Sequence, residues 1–339
     1  MPDPVRRTRK MVEARGLTKT FTRKKETVEA VKGVDIDVAD GELVAFLGPN
    51  GAGKSTTLRM LTSLLRPTAG SATVAGYDVV RSPAEVRARI GYIGQGNAGG
   101  YSYRVGDEMR NQGRFYSVPT DVARTRAAEL LEALELGGLE KRTVLSLSGG
   151  QRRRLDVAMG LMNHPGLLFL DEPTTGLDPH ARANLWDHIL RLREANGMTM
   201  LLTTHYLDEA DSMAERIVLI DHGEVIADAT PAALKRDHAD DLVTLRLRAG
   251  DRADDSAARV AERARSVLPL GVNRAEDHLE DDGAVRLVLA TNHGPDLVPP
   301  TLRALEAAGL AVESADVRQA SLDDVFLNLT GRSLREEAA

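Results

Sequence analysis

The 339 residues contain no cysteine, which excludes a disulfide framework and a thiolate metal site and agrees with a cytoplasmic setting. Also missing is any apolar run near the roughly 18 to 20 residues that a bilayer-crossing helix needs, so a route for cargo across a membrane would have to come from another polypeptide. No apolar stretch follows the Pro- and Arg-containing start, and a secretory signal is not expected. Basic charge is not in excess either. With 44 Lys and Arg against 50 Asp and Glu, the formal net charge is −6, which weighs against nucleic acid as the main partner because duplex binding needs a basic footprint. The cluster Arg6, Arg7, Arg9 and Lys10 reads as a solvated flexible tail over residues 1–10, with contact to anionic lipid headgroups as its alternative use. What is present is 42% hydrophobic content over a length that suits a large core and more than one domain.

The segment Gly48, Pro49, Asn50, Gly51, Ala52, Gly53, Lys54, Ser55 fits G-x-x-x-x-G-K-[ST]. In such a loop the glycines let consecutive N–H groups curl around phosphate oxygens, while the lysine and the hydroxyl meet phosphate and Mg²⁺. An apolar run of strand length, residues 42–47, precedes it, and residues 54–65 follow with helical spacing, starting through Thr56. Strand, loop and helix therefore come in the order that phosphate binding requires.

Further on, Leu167 to Leu170 form an apolar run ending in Asp171 and Glu172, as in a central parallel strand whose C-terminal end faces a nucleotide. Adjacent strand residues point to opposite faces, so the two carboxylates cannot share one task. In phosphate-loop ATPases the first acid of such a pair holds Mg²⁺ and a neighbouring group orients the nucleophile, which assigns the metal to Asp171, through water, and the base to Glu172. A strand-end pair capping the turn after Pro173 is the competing reading.

Between loop and strand lies Leu147, Ser148, Gly149, Gly150, Gln151. Ser148 suits the cap of a helix starting near Gly149, and the following residues keep helical periodicity to Met162. The free N–H groups and positive dipole end of that helix make a second anion site.

These segments together resemble the ATP-binding subunit of an ABC transporter, and the resemblance spans nearly the whole chain. It implies that Ser148 to Gln151, with Leu147, form the family signature and that Gln95, after the apolar run 90–94, is the glutamine that contacts Mg²⁺ and the attacking water and senses the membrane partner. It likewise implies that Asp178, in Gly176-Leu177-Asp178, belongs to the D-loop, that His205 is the switch histidine, and that Phe21 takes the place of the aromatic that stacks on adenine. Ser55, Gln95 and Asp171 would then hold Mg²⁺ beside ATP. The signature is expected to close on ATP held by another copy, giving a head-to-tail homodimer with two ATPs, each between Lys54 of one copy and Ser148 of the other. The last segment, Ser321-Leu-Asp-Asp-Val-Phe-Leu-Asn-Leu-Thr-Gly331, resembles the tail of the daunorubicin-resistance type of drug exporter in the ABC-2 branch, whose ATP-binding subunits pair with a separate membrane permease. Export of a drug or natural product, from the cytoplasmic face of the cell membrane as a peripheral subunit, is the implied function. Phe21 stands where tyrosine is commoner, and residues 96–104 are richer in glycine than in most relatives, which bears on which permease fits.

The expected fold class is α/β, a phosphate-loop NTPase with a mixed sheet core and a helical subdomain over about 96–163, plus a small C-terminal α+β domain of ferredoxin-like type. The domains are residues 11–241 and 242–339. Within the first, residues 121–136 read as an amphipathic helix with Val122, Leu130, Leu131, Leu134 and Leu136 on its apolar face, and residues 216–227 as a hairpin turning at Asp221 to Gly223. In the second, strands are expected at 242–248, 274–280, 284–290 and 311–318, helices at 256–267 and 299–310, and a turn at the acidic break 280–283. ATPases that remodel ribosomes carry two motif sets, and those of DNA repair insert long coiled coils or zinc-binding cysteines; this chain has neither. A phosphate-loop kinase or GTPase leaves the signature unexplained.

Overall fold

The computed structural model describes residues 9–23, 26–96, 100, 102–248, 256–280 and 283–333. The chain divides into two compact units, the first ending at Thr230 and the second starting at Pro231. The sequence reading put this boundary after residue 241. The helix Pro231–His238 goes with the second unit because it buries Leu234, and its His238 carbonyl accepts a hydrogen bond from Asn328 Nδ2 at 2.8 Å.

The first unit is built on a six-stranded sheet in the order Glu224–Ala229, Arg216–Asp221, Leu43–Leu47, Thr199–Thr204, Leu167–Asp171, Ile90–Ile93. All neighbours run parallel except the first pair, an antiparallel hairpin. Its two-residue turn is His222-Gly223, both with positive φ, as a tight hairpin of matching twist demands. The strands Leu43–Leu47, Leu167–Asp171 and Thr199–Thr204 are buried at every residue, which explains their unbroken apolar runs. Parallel order brings the C-terminal ends of four strands to one edge, and the phosphate loop, Gln95, Glu172 and His205 each follow one of those ends within two residues.

A second, antiparallel sheet, in the order Glu26–Ala39, Lys10–Arg23, Ala69–Val74, Tyr77–Asp78, was not anticipated from sequence. Its long strands are bulged, for instance between Ala14 and Leu17, and so lack a clean alternation. Lys10, expected in the flexible tail, opens one of these strands, and its Nζ donates to Glu13 and Asp37. Residues 1–8 lie outside the described residues.

Helices Val105–Phe115, Thr120–Ala133 and Gly149–Gly160 form the helical part. Leu130, Leu131, Leu134 and Leu136 are buried as expected, but Val122 is half exposed and Ala123 and Ala127 take the inward positions. The helix begins at Thr120, and Val122 in its first turn projects outside the stripe that meets the core.

The second unit has strands Asp241–Arg248, Arg274–Leu279, Val285–Thr291 and Ala311–Arg318 with helices Ala257–Ser266 and Gly294–Ala307 between them. The sheet is antiparallel in the chain order second, third, first, fourth, which is the ferredoxin-like arrangement. The helix expected from Pro299 starts at Gly294 instead. Pro295 sits in its first turn and Leu297 is buried, so Pro299 and Pro300 lie inside it. The acidic break falls partly on residues 281–282, outside the described residues.

Candidate functional site: a phosphate loop beside an acidic strand end

The phosphate loop is held close to its surroundings by glycine. A Cβ on Gly48 would fall 2.0 Å from the Ile220 carbonyl oxygen, and one on Gly53, whose φ is +103°, 2.4 Å from that of Ala30. The helix Lys54–Leu61 begins with no side-chain cap, leaving the N–H groups of its first turn, including Ser55 and Thr56, for an external anion. Pro49, Asn50, Gly51 and Ala52 complete the curve in front of it.

Lys54 is almost wholly buried, and its Nζ donates to the carbonyls of Gly48 at 2.6 Å and Pro49 at 2.9 Å. Burial pushes its pKa below 10.5, opposed by the carboxylates of Glu172 and Asp171. The third direction around Nζ leads to Glu172 Oε1 at 3.8 Å.

Asp171 is fully buried at the end of its strand. Its Oδ1 accepts from Ser55 Oγ at 2.6 Å and Thr203 Oγ1 at 2.9 Å, and its Oδ2 from Tyr92 OH at 3.4 Å. Arg59 Nη2 stands 3.8 Å from Oδ2. Gln95 Nε2 donates to the same Ser55 hydroxyl at 3.1 Å. Ser55, Gln95 and Asp171 thus form one hydrogen-bonded group of hard oxygen and amide ligands beside the phosphate loop. That donor set suits Mg²⁺, which binds through few protein oxygens, water and substrate phosphate rather than an all-protein cage. Among the described residues no cluster of three or more His, Cys, Asp or Glu could hold a metal.

Glu172 leaves the strand with φ +48°, a left-handed conformation uncommon for a residue with a side chain. This turn, rather than strand alternation, separates its carboxylate from that of Asp171. Its N–H donates to Thr203, both to the carbonyl at 3.1 Å and to Oγ1 at 3.0 Å. Its Oε2 lies 3.5 Å from His205 Nδ1 and accepts from Thr175 Oγ1 at 3.2 Å. The adjacent His205, then the Lys54 charge, hold this carboxyl below 4.5 against the opposing effect of burial. The carboxylate is therefore ionised at neutral pH and sits between two cationic or polar hydrogen donors at the edge of a phosphate cradle.

Phe21 stands apart from this group, on the antiparallel sheet opposite Val28. Its ring is 43% exposed, with Lys19 Nζ 5.2 Å from the centroid, so it is no core aromatic.

The signature residues form a second group. Ser148 caps the helix Gly149–Gly160 through a capping box: its Oγ accepts from Gln151 N at 3.2 Å, and Gln151 Oε1 accepts from Ser148 N at 3.0 Å. Leu147, the residue before the cap, is buried. Asp178 caps the next helix, Pro179–Asn196, accepting from Ala181 N at 2.9 Å. The two helix starts line an open hollow of about 360 Å³ whose walls include Ser148, Gly149, Gly150, Gln151 and Asp178 and, among the described residues, none of the phosphate loop.

Several participants gave no sequence signal. Thr203, Thr175 and Tyr92 are ordinary strand and turn residues whose partners are known only from the fold. Arg153 offered one faint cue, a charge on the helix face that turns inward, where it is 6% exposed.

The sequence pattern of the family described as ABC transporter matches residues 31–175. The daunorubicin/doxorubicin resistance ATP-binding protein DrrA of Streptomyces peucetius is 42% identical over 94% of this chain and 92% of its own length. The linearmycin resistance ATP-binding protein LnrL of Bacillus subtilis is 32% identical over 96% of this chain and all of its own. Among solved structures, the dimeric post-hydrolysis state of the ATP-binding cassette MJ0796 bound to ADP and Pi is similar at a TM-score of 0.60 and 28% identity, covering 65% of this chain and 98% of that one. With its phosphate loop, signature helix and acidic strand end in one cassette, this chain belongs to the ABC transporter family, as an ATP-binding subunit that hydrolyses ATP with Mg²⁺.

Proposed function

We propose that this protein powers export of a drug or natural product through a separately encoded membrane permease, working as a homodimer on the cytoplasmic face of the cell membrane. The observation that carries the catalytic part is the placement of Glu172, whose carboxylate lies 3.8 Å from Lys54 Nζ and 3.5 Å from His205 Nδ1. Glu172 is the base that orients and activates water. Lys54 and His205 offset charge on the γ-phosphate, Gln95 helps place the water, and Ser55, Gln95 and, through water, Asp171 would hold the metal. Mg²⁺ held there would supply positive charge against the charge that builds up on the phosphate oxygens. Phe21 offers its exposed face to adenine. Residues 48–56 bind the phosphates, and Leu147 to Gln151 with Asp178 close on ATP held by the second copy.

Dimerisation follows from the two anion sites. Ser148 and its helix start open onto a hollow lined, among the described residues, by none of the chain's own phosphate loop, which supports completion of each site by a partner copy. The dimeric MJ0796 cassette supports the same reading. A membrane permease fits because, among the described residues, no helix is long and apolar enough to cross a bilayer. Drug export is supported by relatives named for resistance to daunorubicin, doxorubicin and linearmycin.

The direct test is Glu172→Gln. Removal of the base should lower the turnover rate by about 100-fold or more, the scale of a lost general base, while ATP binding persists and an ATP-bound dimer accumulates. Normal hydrolysis by this variant would reject the assignment. For the transport part, purification from detergent should recover an integral membrane protein; ribosomes or DNA as sole partner would refute it.

A further inference from the structure

We propose that Arg153 is the positioning residue for Glu172 and ties its setting to the Gln95 segment. The proposal rests on Glu172 being the base. Arg153 belongs to the signature helix Gly149–Gly160, and its guanidinium is buried among carbonyl oxygens of two other segments. Its Nε donates to Pro173 O, its Nη2 to Glu172 O at 3.4 Å and its Nη1 to Gly94 O at 2.8 Å. One planar fork therefore binds the carbonyl of the base itself, the residue after it and the residue before Gln95. Asp156 Oδ2, 3.5 Å from Nη1, balances the charge from within the same helix.

Two features make this more than packing. A left-handed backbone at a residue with a side chain persists only where its surroundings hold it, and Glu172 has φ +48°. Its N–H is held by Thr203, and its carbonyl accepts from Arg153 Nη2 and from the Thr175 N–H, each at 3.4 Å, so the signature helix supplies the restraint on the carbonyl that comes from outside the turn. Moreover, Nη1 also reaches Gly96 O at 3.5 Å, and four carbonyls in fixed directions need a rigid multi-donor fork, which arginine has and the flexible point charge of lysine lacks. Any rotation of the signature helix that moved this guanidinium would release Glu172 and the Gln95 segment together.

The experiment compares Arg153→Met and Arg153→Lys with the parent protein and repeats both in the Glu172→Gln background, measuring ATP affinity, turnover rate and melting temperature. Misplacement of the base by a fraction of an ångström should lower turnover by about 10- to 100-fold while ATP affinity stays within about twofold. In the Glu172→Gln background the same substitutions should change the residual rate by less than about threefold, because residues acting through one another are not additive. Arg153→Lys retains the charge beside Asp156 and serves if Arg153→Met does not fold. Equal losses in both backgrounds, or unchanged turnover with only a lower melting temperature, would overturn the proposal and leave Arg153 a structural clamp. If Glu172→Gln alone hydrolyses ATP normally, the assignment of the base has failed instead.

Discussion

Glu172 and Lys54 titrate against each other's charge, and their shifts set two separate pH windows. The folded protein depresses the Glu172 pKa, chiefly through His205, so this carboxylate stabilises the fold above its unfolded value near 4.5 and the contribution is lost as pH falls through the lower folded value. Glu172→Gln should therefore flatten the dependence of unfolding free energy on pH in the window below 4.5, read by denaturant titration at a series of acidic pH values. Lys54 behaves oppositely with respect to its ligand. Burial lowers its pKa from 10.5, whereas a bound phosphate favours the ammonium and raises it again. ATP binding should then take up a proton in the alkaline range below 10.5 and weaken as pH rises through the lowered pKa of the free protein, measurable by calorimetry in buffers of different ionisation heat. That these residues would gather at one strand edge was legible from motif and order, because chemistry restricts which residue types follow such strands. Their neighbours were not. Thr203 could not be read as the residue that holds both Asp171 Oδ1 and the Glu172 N–H, since a threonine ending an apolar strand has no distinguishing mark.

Elements were legible where burial is uniform or periodic. The strands Leu43–Leu47, Leu167–Asp171 and Thr199–Thr204, wholly enclosed, carry their apolar runs openly, and the signature helix shows its cap as Ser148 and Gln151 three residues apart. The antiparallel sheet escaped because bulges break the alternation of Lys10–Arg23, and the helix Gly294–Ala307 because two prolines look like a start rather than an interior. The final helix, Leu322–Thr330, repeats the signature's device: Ser321 and Asp324 form a capping box, and Leu322, Val325 and Phe326 are buried. Since Phe326 is fully enclosed, Phe326→Ala should cost about 3 to 5 kcal/mol through lost transfer energy and the cavity left behind. Chemical denaturation should show the loss in the transition of the second unit, with ATP affinity at Lys54 unchanged, because no residue of residues 48–56 belongs to that unit.

For the whole molecule, the proposed head-to-tail pairing of the two anion sites would make activity a property of concentration. An arginine at position 148 would remove the Ser148 hydroxyl that caps the signature helix and fill the approach to its first N–H groups, while leaving Lys54, Ser55 and Asp171 untouched. Ser148→Arg should therefore keep the ATP affinity of the isolated subunit within about twofold and lower turnover by about 100-fold or more, the scale of a lost transition-state anion contact. In the unmodified protein the specific rate should fall on dilution below the dimer dissociation constant and recover on concentration, whereas a self-sufficient site would keep a constant rate per molecule. Rate against concentration, with light scattering on the same samples, separates the two cases. A particle that stayed monomeric with ATP and turned over at full speed, indifferent to Ser148→Arg, would require each chain to complete its own site, and the separate hollow in front of the signature helix would lose its purpose.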